Sequence, residues 1–249
     1  MTRSCGLIAL FLIATCWMTA LAQGGGGDPD AKGTITITVE VKNGVTTITA
    51  TRGSSTGWDL GGVGAYAISS DGGLLYFEPI LFAGKIGDPN PKTDSVVMPL
   101  PNGTFDVWAT HTVTKTNAPA EKLTVGSALS SATVTNSIHQ VITEGGSITC
   151  VPVRVSGGAG FQASGKWSVF KDWKKDPDNA WIYFDTIPTG GGLVRRIGVY
   201  GIADGTWKTD PSTLYVQSQL NYNCWSSHAI VGTKGQGTQV IGSVWVKNK

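Results

Sequence analysis

The side chains that could carry out catalysis are few and widely spaced along the chain. Histidine occurs at His111, His139 and His228, and none of them has the spacing to another histidine or to a cysteine pair that a zinc site requires. A nucleophilic thiol at Cys224 would need a histidine base, normally far downstream, whereas His228 follows it by four residues. The sequence therefore predicts ordinary surface or packed histidines, no metal site and no catalytic residue.

Acidic residues of the second half leave one enzymatic alternative open. A glycosidase pair could be drawn from Asp172, Asp176, Asp178 and Asp185. Spacing along a chain does not place two carboxylates across a sugar, so a secreted hydrolase remains an alternative. Asp176 and Asp178 could offer oxygens to Ca²⁺, but no glycine or distal glutamate completes an EF-hand loop, so we expect a turn.

Tryptophans give the strongest signal for binding. Flat, exposed rings stack on sugar faces or anchor protein interfaces. Four tryptophans of the second half stand beside Asp, Pro, Gly, Asn or Ser, as loop residues do: Trp173, Trp181, Trp207 and Trp225. We expect these four rings to be exposed and to form a ligand-binding surface, with core packing as the alternative.

Composition and charge narrow the classes of protein. The chain has 249 residues, a formal net charge of +2 and only 14% charged residues. No run of Lys and Arg stands out, so we expect no nucleic-acid partner and no patch for an anionic membrane. The abundance of Gly, Thr, Ser and Val favours strands and tight turns over helices. Nothing in the sequence predicts a cofactor.

The first 32 residues have the features of an export signal and a linker. Residues 1–22 carry Arg3, then an apolar run, then the small-x-small pattern Ala20-Leu21-Ala22. The apolar run is shorter than the roughly 20 residues that span a bilayer. We therefore expect a cleaved signal peptide, a glycine-rich linker over 23–32, no transmembrane segment in the mature chain, and a secreted or extracytoplasmic location at the cell surface or in the periplasm. An uncleaved anchor and a lipidated Cys16 are the alternatives.

The clearest structural pattern is a hairpin near the start of the mature chain. Residues 34–41 and 45–51 alternate polar and apolar side chains, and Asn43-Gly44 between them suits a two-residue type I′ turn. Pairing around this turn sets Val39 opposite Ile48 and places the apolar side chains on one face. Such a strand pair is typical of an antiparallel sandwich.

Stretches of alternating polar and apolar residues, separated by turn residues, predict an all-β chain of two tandem antiparallel β-sandwich domains. We place the first over 33–136 and the second over 137–249. Within the first domain we expect strands at 63–68 and 74–82. Residues 117–131 are rich in Ala, Ser and Lys and predict a loop or one short helix.

Short stretches resemble immunoglobulin-like modules. Leu100-Pro101-Asn102-Gly103, followed by an alternating strand, resembles the corner before a late strand of fibronectin type III modules, with Phe105 where those modules usually have Tyr. In the second half, residues 140–150 are similar to the approach of V-type immunoglobulin domains to their first core cysteine, and Tyr222-Asn223-Cys224 is similar to their late strand.

This resemblance implies a pinned core in the second domain. Cys150 and Cys224 would form a disulfide between the two sheets, Trp167 would pack on it, and Tyr222 would be the corner tyrosine. An exported chain meets an oxidising compartment in which such a bridge persists. Two free buried thiols are the alternative.

These patterns predict a secreted or cell-surface protein with a non-enzymatic binding or structural role, for example in adhesion or envelope assembly. Its partner would be a protein or a glycan. The first alternative is a carbohydrate-binding module that uses exposed tryptophans, and the second is the secreted hydrolase.

Overall fold

The computed structural model describes residues 28–82, 91–157, 160–200, 205–210, 213–217 and 219–248. The predicted signal peptide 1–22 and the first part of the predicted linker, 23–27, lie outside these ranges. All regular structure within them is β-strand, which confirms the all-β prediction. Over the same ranges, no helix is long and apolar enough to cross a membrane.

Eight strands lie in the described part of the first half. They are β1 (Gly33–Lys42), β2 (Val45–Ser54), β3 (Trp58–Ser69), β4 (Gly73–Ile80), β5 (Lys92–Met98), β6 (Gly103–Lys115), β7 (Ala118–Gly126) and β8 (Ser130–Val134).

Twelve strands follow in the described part of the second half. They are β9 (Gly146–Ile148), β10 (Val151–Arg154), β11 (Gly160–Val169), β12 (Trp173–Lys175), β13 (Trp181–Pro188), β14 (Gly192–Leu193), β15 (Arg195–Tyr200), β16 (Thr206–Lys208), β17 (Leu214–Tyr215), β18 (Tyr222–Gly232), β19 (Thr238–Gly242) and β20 (Val246–Asn248).

In the first half, a small sheet packs against part of a large one. The small sheet has the order β1-β2-β5, and β4, β3, β6, β7 and β8 belong to the large sheet. The predicted hairpin is confirmed in its register, with Val39 opposite Ile48 and positive φ at Asn43 and Gly44. Ile48 is buried between the sheets together with Val107 of β6.

One expectation for the first half is wrong. Within the predicted loop or short helix at 117–131, residues 118–126 form strand β7. This strand pairs with β6, as in the register Thr112 opposite Thr124. Its weak local pattern is outweighed by pairing with β6 and by a contact with the second half, because strand formation depends more on neighbours than on propensity.

The second half repeats this arrangement. A small sheet of order β10-β11-β16, joined by β9 and β17, packs against the β19-β18-β13-β15 part of the large sheet. Its core contains Phe161 and Ala163 of β11 together with Ile182 and Phe184 of β13.

The central strands of the two halves also have the same register. In the first half, β6 lies between β3 and the consecutive strands β7 and β8, and Trp108 stands opposite Tyr66. In the second half, β18 lies between β13 and the consecutive strands β19 and β20, and Trp225 stands opposite Asp185. Trp108 and Trp225 therefore hold equivalent places.

The halves join through two short strand pairings that mirror one another. The paired residues are Gly73 with Gly242 and Leu74 with Ile241 at one end, and Gly192 with Gly126 and Leu193 with Val125 at the other. Each partner in one pairing is the structural equivalent of a partner in the other, which is the reciprocity that a twofold axis produces. We call these two pairings the seams. They join both halves into one twelve-stranded sheet in the described part of the chain, and the predicted boundary near residue 136 stays a prediction.

The predicted disulfide is not formed in this structure. Cys150, between β9 and β10, and Cys224, on β18, are free thiols buried in the same core. Burial raises the pKa of Cys150 to about 12 and raises the pKa of Cys224 as well. Both thiols are therefore protonated at neutral pH, and they behave as small apolar side chains rather than as nucleophiles.

Candidate ligand-binding cleft

Large aromatic side chains meet where the inner faces of the two halves approach each other. The Trp108 and Trp225 rings lie 5.0 Å apart at 72°. Trp245 lies 5.0 Å from Trp108 and 5.2 Å from Trp225. Because Trp108 and Trp225 are equivalent, the pseudo-twofold axis passes between them. We call these three residues the tryptophan cluster.

A cleft of about 560 Å³ opens beside the tryptophan cluster. Both halves contribute to its lining, which includes Tyr66, Trp108, Tyr183, Asp185, Arg196 and Trp225. Its size lies within the range of small-molecule sites, which often occur where two structural units meet.

Strand alternation directs these side chains into the cleft. Along β13, Tyr183 and Asp185 line the cleft, whereas Ile182 and Phe184 face the core of the second sandwich. β18 follows the same rule with Trp225 and Ser227 toward the cleft, and it is buried on both faces. The local sequence therefore fixes which side chains can reach a ligand.

One wall of the cleft carries a fixed ion pair. The Arg196 Nε and Nη2 atoms donate to the Asp185 carboxylate at 2.6 and 3.0 Å, and the Trp225 indole also donates to it. Burial raises the pKa of Asp185, and these hydrogen bonds oppose that rise. Burial alone would lower the pKa of Arg196, but Asp185 outweighs it and raises that pKa. The guanidinium is thus held as a cation against a buried carboxylate.

Aromatic side chains form another part of the lining. Tyr66 stacks on Trp108 with centroids 5.4 Å apart and 14° between planes. Phe77 also contacts Tyr66, with ring centroids 5.1 Å apart. A ligand in the cleft would therefore meet both the Arg196 cation and aromatic side chains.

The rest of the lining combines aliphatic side chains with polar and basic ones. Arg195, which pairs with Asp30 at 3.4 Å, and Lys122 also line the cleft. Hydroxyl and amide groups come from Thr110, Thr112, Thr124, Ser227 and Asn179. Among the described lining residues Asp185 is the only carboxylate, and it is committed to Arg196. This chemistry can bind and orient a polar or anionic group.

The structure places the four predicted tryptophans in four different environments. Trp207 and Trp225 are each only 4% exposed, so the expectation of exposed rings is wrong for both. Trp207 packs in the second core near Phe184, and Trp225 belongs to the tryptophan cluster. Trp173 is half-buried with its ring over Gly145, where a Cβ would lie 2.1 Å from it. The four rings do not form one exposed surface, although Trp225 lines the cleft.

Trp181 is the one of the four that is exposed. It is 42% exposed, and Tyr200 beside it on β15 is 65% exposed. The two rings lie 5.2 Å apart at 53°. Gly198 lies below the Trp181 ring, where a Cβ would approach it to 2.8 Å. We call this exposed pair the Trp181–Tyr200 platform.

The other residues considered in the sequence analysis contact neighbouring residues in the structure. Trp167 lies on β11, half-buried, with its ring 5.4 Å from the imidazole of His228. Asp172 pairs with Lys234 at 3.0 Å, and Asp176 accepts the Asp178 amide. No group of three or more His, Cys, Asp or Glu side chains that could hold a metal occurs in the described ranges.

Sequence reasoning missed the basic and tyrosine residues of the cleft. An internal repeat, visible in the printed sequence, could have led to it. Phe105-Asp106-Val107-Trp108-Ala109-Thr110-His111 matches Tyr222-Asn223-Cys224-Trp225-Ser226-Ser227-His228, and Gly72-Gly73-Leu74 matches Gly191-Gly192-Leu193. The first match marks the central strands and the second marks the seams. A search for repeats would have placed the two tryptophans on one axis.

Neither a scan against protein-family models nor a search of curated proteins finds a match to this chain. Its function is therefore inferred from the site, since a fold alone does not define a function.

Proposed function

We propose that the chain is an exported, non-enzymatic binding protein and that the cleft between its two sandwiches is the ligand site. The observation that carries this proposal is the cleft on the pseudo-twofold axis, where Arg196 is held in place by Asp185. A preorganised donor in a concave site lowers the entropic cost of binding. Export rests on the sequence features of residues 1–22.

We also propose that both sandwiches are immunoglobulin-like. The order β1-β2-β5 against β4-β3-β6-β7 in the first half, and β10-β11-β16 against β15-β13-β18-β19 in the second, supports this. The Tyr222 hydroxyl accepts a hydrogen bond from the Gln217 amide at 2.9 Å, as a corner tyrosine does.

Glycan and peptide arrays probed with the purified full-length protein test the ligand site. We expect Thr112→Trp, which fills the cleft from β6, to abolish the binding that the wild-type protein shows. Thr114→Trp is the matched control because Thr114 lies on the same strand face, one position beyond the lining residues. Binding that survives Thr112→Trp unchanged would place the ligand elsewhere, and an absence of binding on both arrays would also count against the proposal.

The Trp181–Tyr200 platform supports a second candidate function, carbohydrate binding at the sheet edge. Two exposed aromatic rings side by side can stack on a sugar. Glycan binding lost in Trp181→Ala but kept in Thr112→Trp would favour this platform over the cleft. The reverse result would favour the cleft.

Export is tested by the intact mass of protein recovered from outside the cytoplasm. Cleavage after Ala22 predicts a chain that begins at Gln23. Protein that retains residues 1–22 would contradict the predicted cleavage.

A further inference from the structure

The two halves differ most where they face the cleft. Phe77 is paired with Tyr66 across strands β4 and β3, and the equivalent pair on β15 and β13 is Arg196 with Asp185. An aromatic pair in one half is thus an ion pair in the other. Because the first half folds in the same way without this ion pair, the fold does not require a charge at this place.

Arg196 has hydrogen-bonding capacity left for a ligand. Its Nε and Nη2 atoms bond to Asp185, and its remaining donors have no partner among the described residues. The side chain is 56% exposed, and its guanidinium lies 4.7 Å from the centre of the Tyr183 ring. Ion pairing and stacking hold the planar group in one orientation. It can therefore bind a planar or tetrahedral oxyanion without further ordering.

The charges around Arg196 favour an anion. Arg195 and Lys122 line the same cleft, whereas Asp185 is the only acidic side chain among the described residues of the lining. Because Arg195 is itself paired with Asp30 at 3.4 Å, the positive potential of this concave site comes mainly from Lys122 and from the exposed part of Arg196.

We propose that the cleft binds an acidic saccharide, whose carboxylate or sulfate ester contacts Arg196. This inference rests on the proposed function and names the ligand class of that same site. The hydroxyl groups of Thr110, Thr112 and Thr124 lie along the lining and can exchange hydrogen bonds with sugar hydroxyls. Tyr66 and Tyr183 also line the cleft, and their phenolic hydroxyl groups can exchange hydrogen bonds with a sugar.

Calorimetric titration of the full-length protein tests this inference. The probes are oligogalacturonate, a sulfated oligosaccharide, the methyl-esterified neutral form of oligogalacturonate, sodium acetate and inorganic sulfate. We expect at least one acidic oligosaccharide to bind about tenfold or more tightly than the neutral form, with affinity that falls as salt rises. Comparison of the first two probes identifies which oxyanion is preferred.

A double variant transplants the first half's pair into the second. Asp185→Tyr with Arg196→Phe removes both charges together, so that no buried carboxylate is left unpaired. We expect this variant to fold and to lose most of its preference for acidic over neutral oligosaccharides, with Lys122 accounting for what remains. Lys122→Gln should weaken acidic binding about threefold. Lys208→Gln, on β16 in the small sheet of the second half, is its control and should leave binding unchanged.

The outcomes separate this inference from the proposed function. Equal binding of acidic and neutral oligosaccharides, abolished by Thr112→Trp, would overturn the inference and leave the cleft as the ligand site. Binding of acetate or sulfate as tight as that of the oligosaccharides would overturn the saccharide. No binding of any probe would overturn the inference, and array binding that is insensitive to Thr112→Trp would overturn the proposed function as well.

Discussion

The two halves of this chain share a framework and differ in what they present to the cleft. Trp108 and Trp225 hold equivalent places on the central strands, and each contacts the residue opposite it on the next strand. That residue is Tyr66 in the first half and Asp185 in the second. Residues that the two halves share are the ones that the fold requires. Residues that differ between the halves are available for ligand binding.

The shared framework extends to single hydrogen bonds. The Ser127 hydroxyl oxygen accepts the Ala109 amide at 3.0 Å, and the Ser243 hydroxyl oxygen accepts the Ser226 amide at 3.0 Å. In each half this serine lies where the last strand is interrupted, between β7 and β8 or between β19 and β20. The same device thus keeps the central strand paired across the same gap.

The largest expected effect comes from removing either central tryptophan. Trp108→Ala and Trp225→Ala each delete a buried ring, and we expect each to lower the free energy of unfolding by about 3–5 kcal/mol. Trp225→Ala should cost more, because it also removes a hydrogen bond to the buried Asp185 carboxylate.

Chemical denaturation monitored by circular dichroism measures both losses. Trp181→Ala is the matched control and should change the free energy of unfolding by no more than about 0.5 kcal/mol, because the ring is exposed. A loss below about 1 kcal/mol in either cluster variant would contradict a shared core at the axis.

Acid should destabilise both halves through equivalent histidines. Burial lowers the pKa of His111 and of His228 from 6.5 to about 4, with Arg52 adding repulsion in the first half and Lys175 in the second. Between these values the unfolded chain binds protons that the folded chain does not, so stability falls as pH falls from 6.5 toward 4. At pH 5 the expected loss is roughly 2 kcal/mol per histidine.

Denaturation curves between pH 7.5 and 5 measure this slope. The double variant His111→Gln with His228→Gln should flatten it, and each single variant should remove about half. An unaltered slope in the double variant would show that other groups control the acid response.

An added methyl group should destabilise the two seams by different amounts. A Cβ on Gly242 would lie 2.4 Å from the rigid Trp225 ring, whereas a Cβ on Gly126 would lie 2.9 Å from the flexible end of Ile187. We expect Gly242→Ala to cost about 2–3 kcal/mol of unfolding free energy and Gly126→Ala about 1 kcal/mol.

Thermal and chemical denaturation compare the two seam variants. Gly62→Ala is a control because no atom lies within 4 Å of the added Cβ. Equal losses in both seam variants would show that the seams pack alike despite their different neighbours.

Replacing the equivalent serines Ser127 and Ser243 should give the most similar losses of unfolding free energy in the two halves. Ser127→Ala and Ser243→Ala each leave a buried amide without its acceptor, at an expected cost of about 1–2 kcal/mol. Urea denaturation should return values within about 0.5 kcal/mol of one another. A difference above about 1 kcal/mol would show that the two gaps are not energetically equivalent.

The sequence pattern was sufficient to predict structure where the pairing strands are neighbours along the chain and both alternate clearly. The β1–β2 register follows from period-two alternation and one Asn-Gly turn, so it could be read from the sequence. β7 also forms a local hairpin with β6, but its first residues are mostly exposed and lack this alternation, so the pattern did not mark it as a strand. The cleft escaped prediction for a different reason, since its walls come from strands that meet only through the seams.

The tryptophan expectation was wrong for a related reason. Ser226 and Asn223 near Trp225 suggested a loop, but β18 lies between two cores and is buried on both faces. On such a strand, small polar residues pack beside large rings and satisfy hydrogen bonds, as the Ser226 amide does with Ser243. Polar neighbours therefore indicate exposure only when one face of a strand meets solvent.

The smallest expected effect concerns the corner tyrosine Tyr222, because the first half has phenylalanine at the equivalent position. Phe105 occupies the place that Tyr222 holds in the second half, so Tyr222→Phe makes the halves alike. The change removes the acceptor of the Gln217 amide, and we expect a loss of about 1 kcal/mol in urea denaturation. Tyr215→Phe, at an exposed tyrosine, should cost nothing measurable. If Tyr222→Phe were equally silent, the corner hydroxyl would be dispensable in both halves, and its presence in the second would not support an immunoglobulin-like corner.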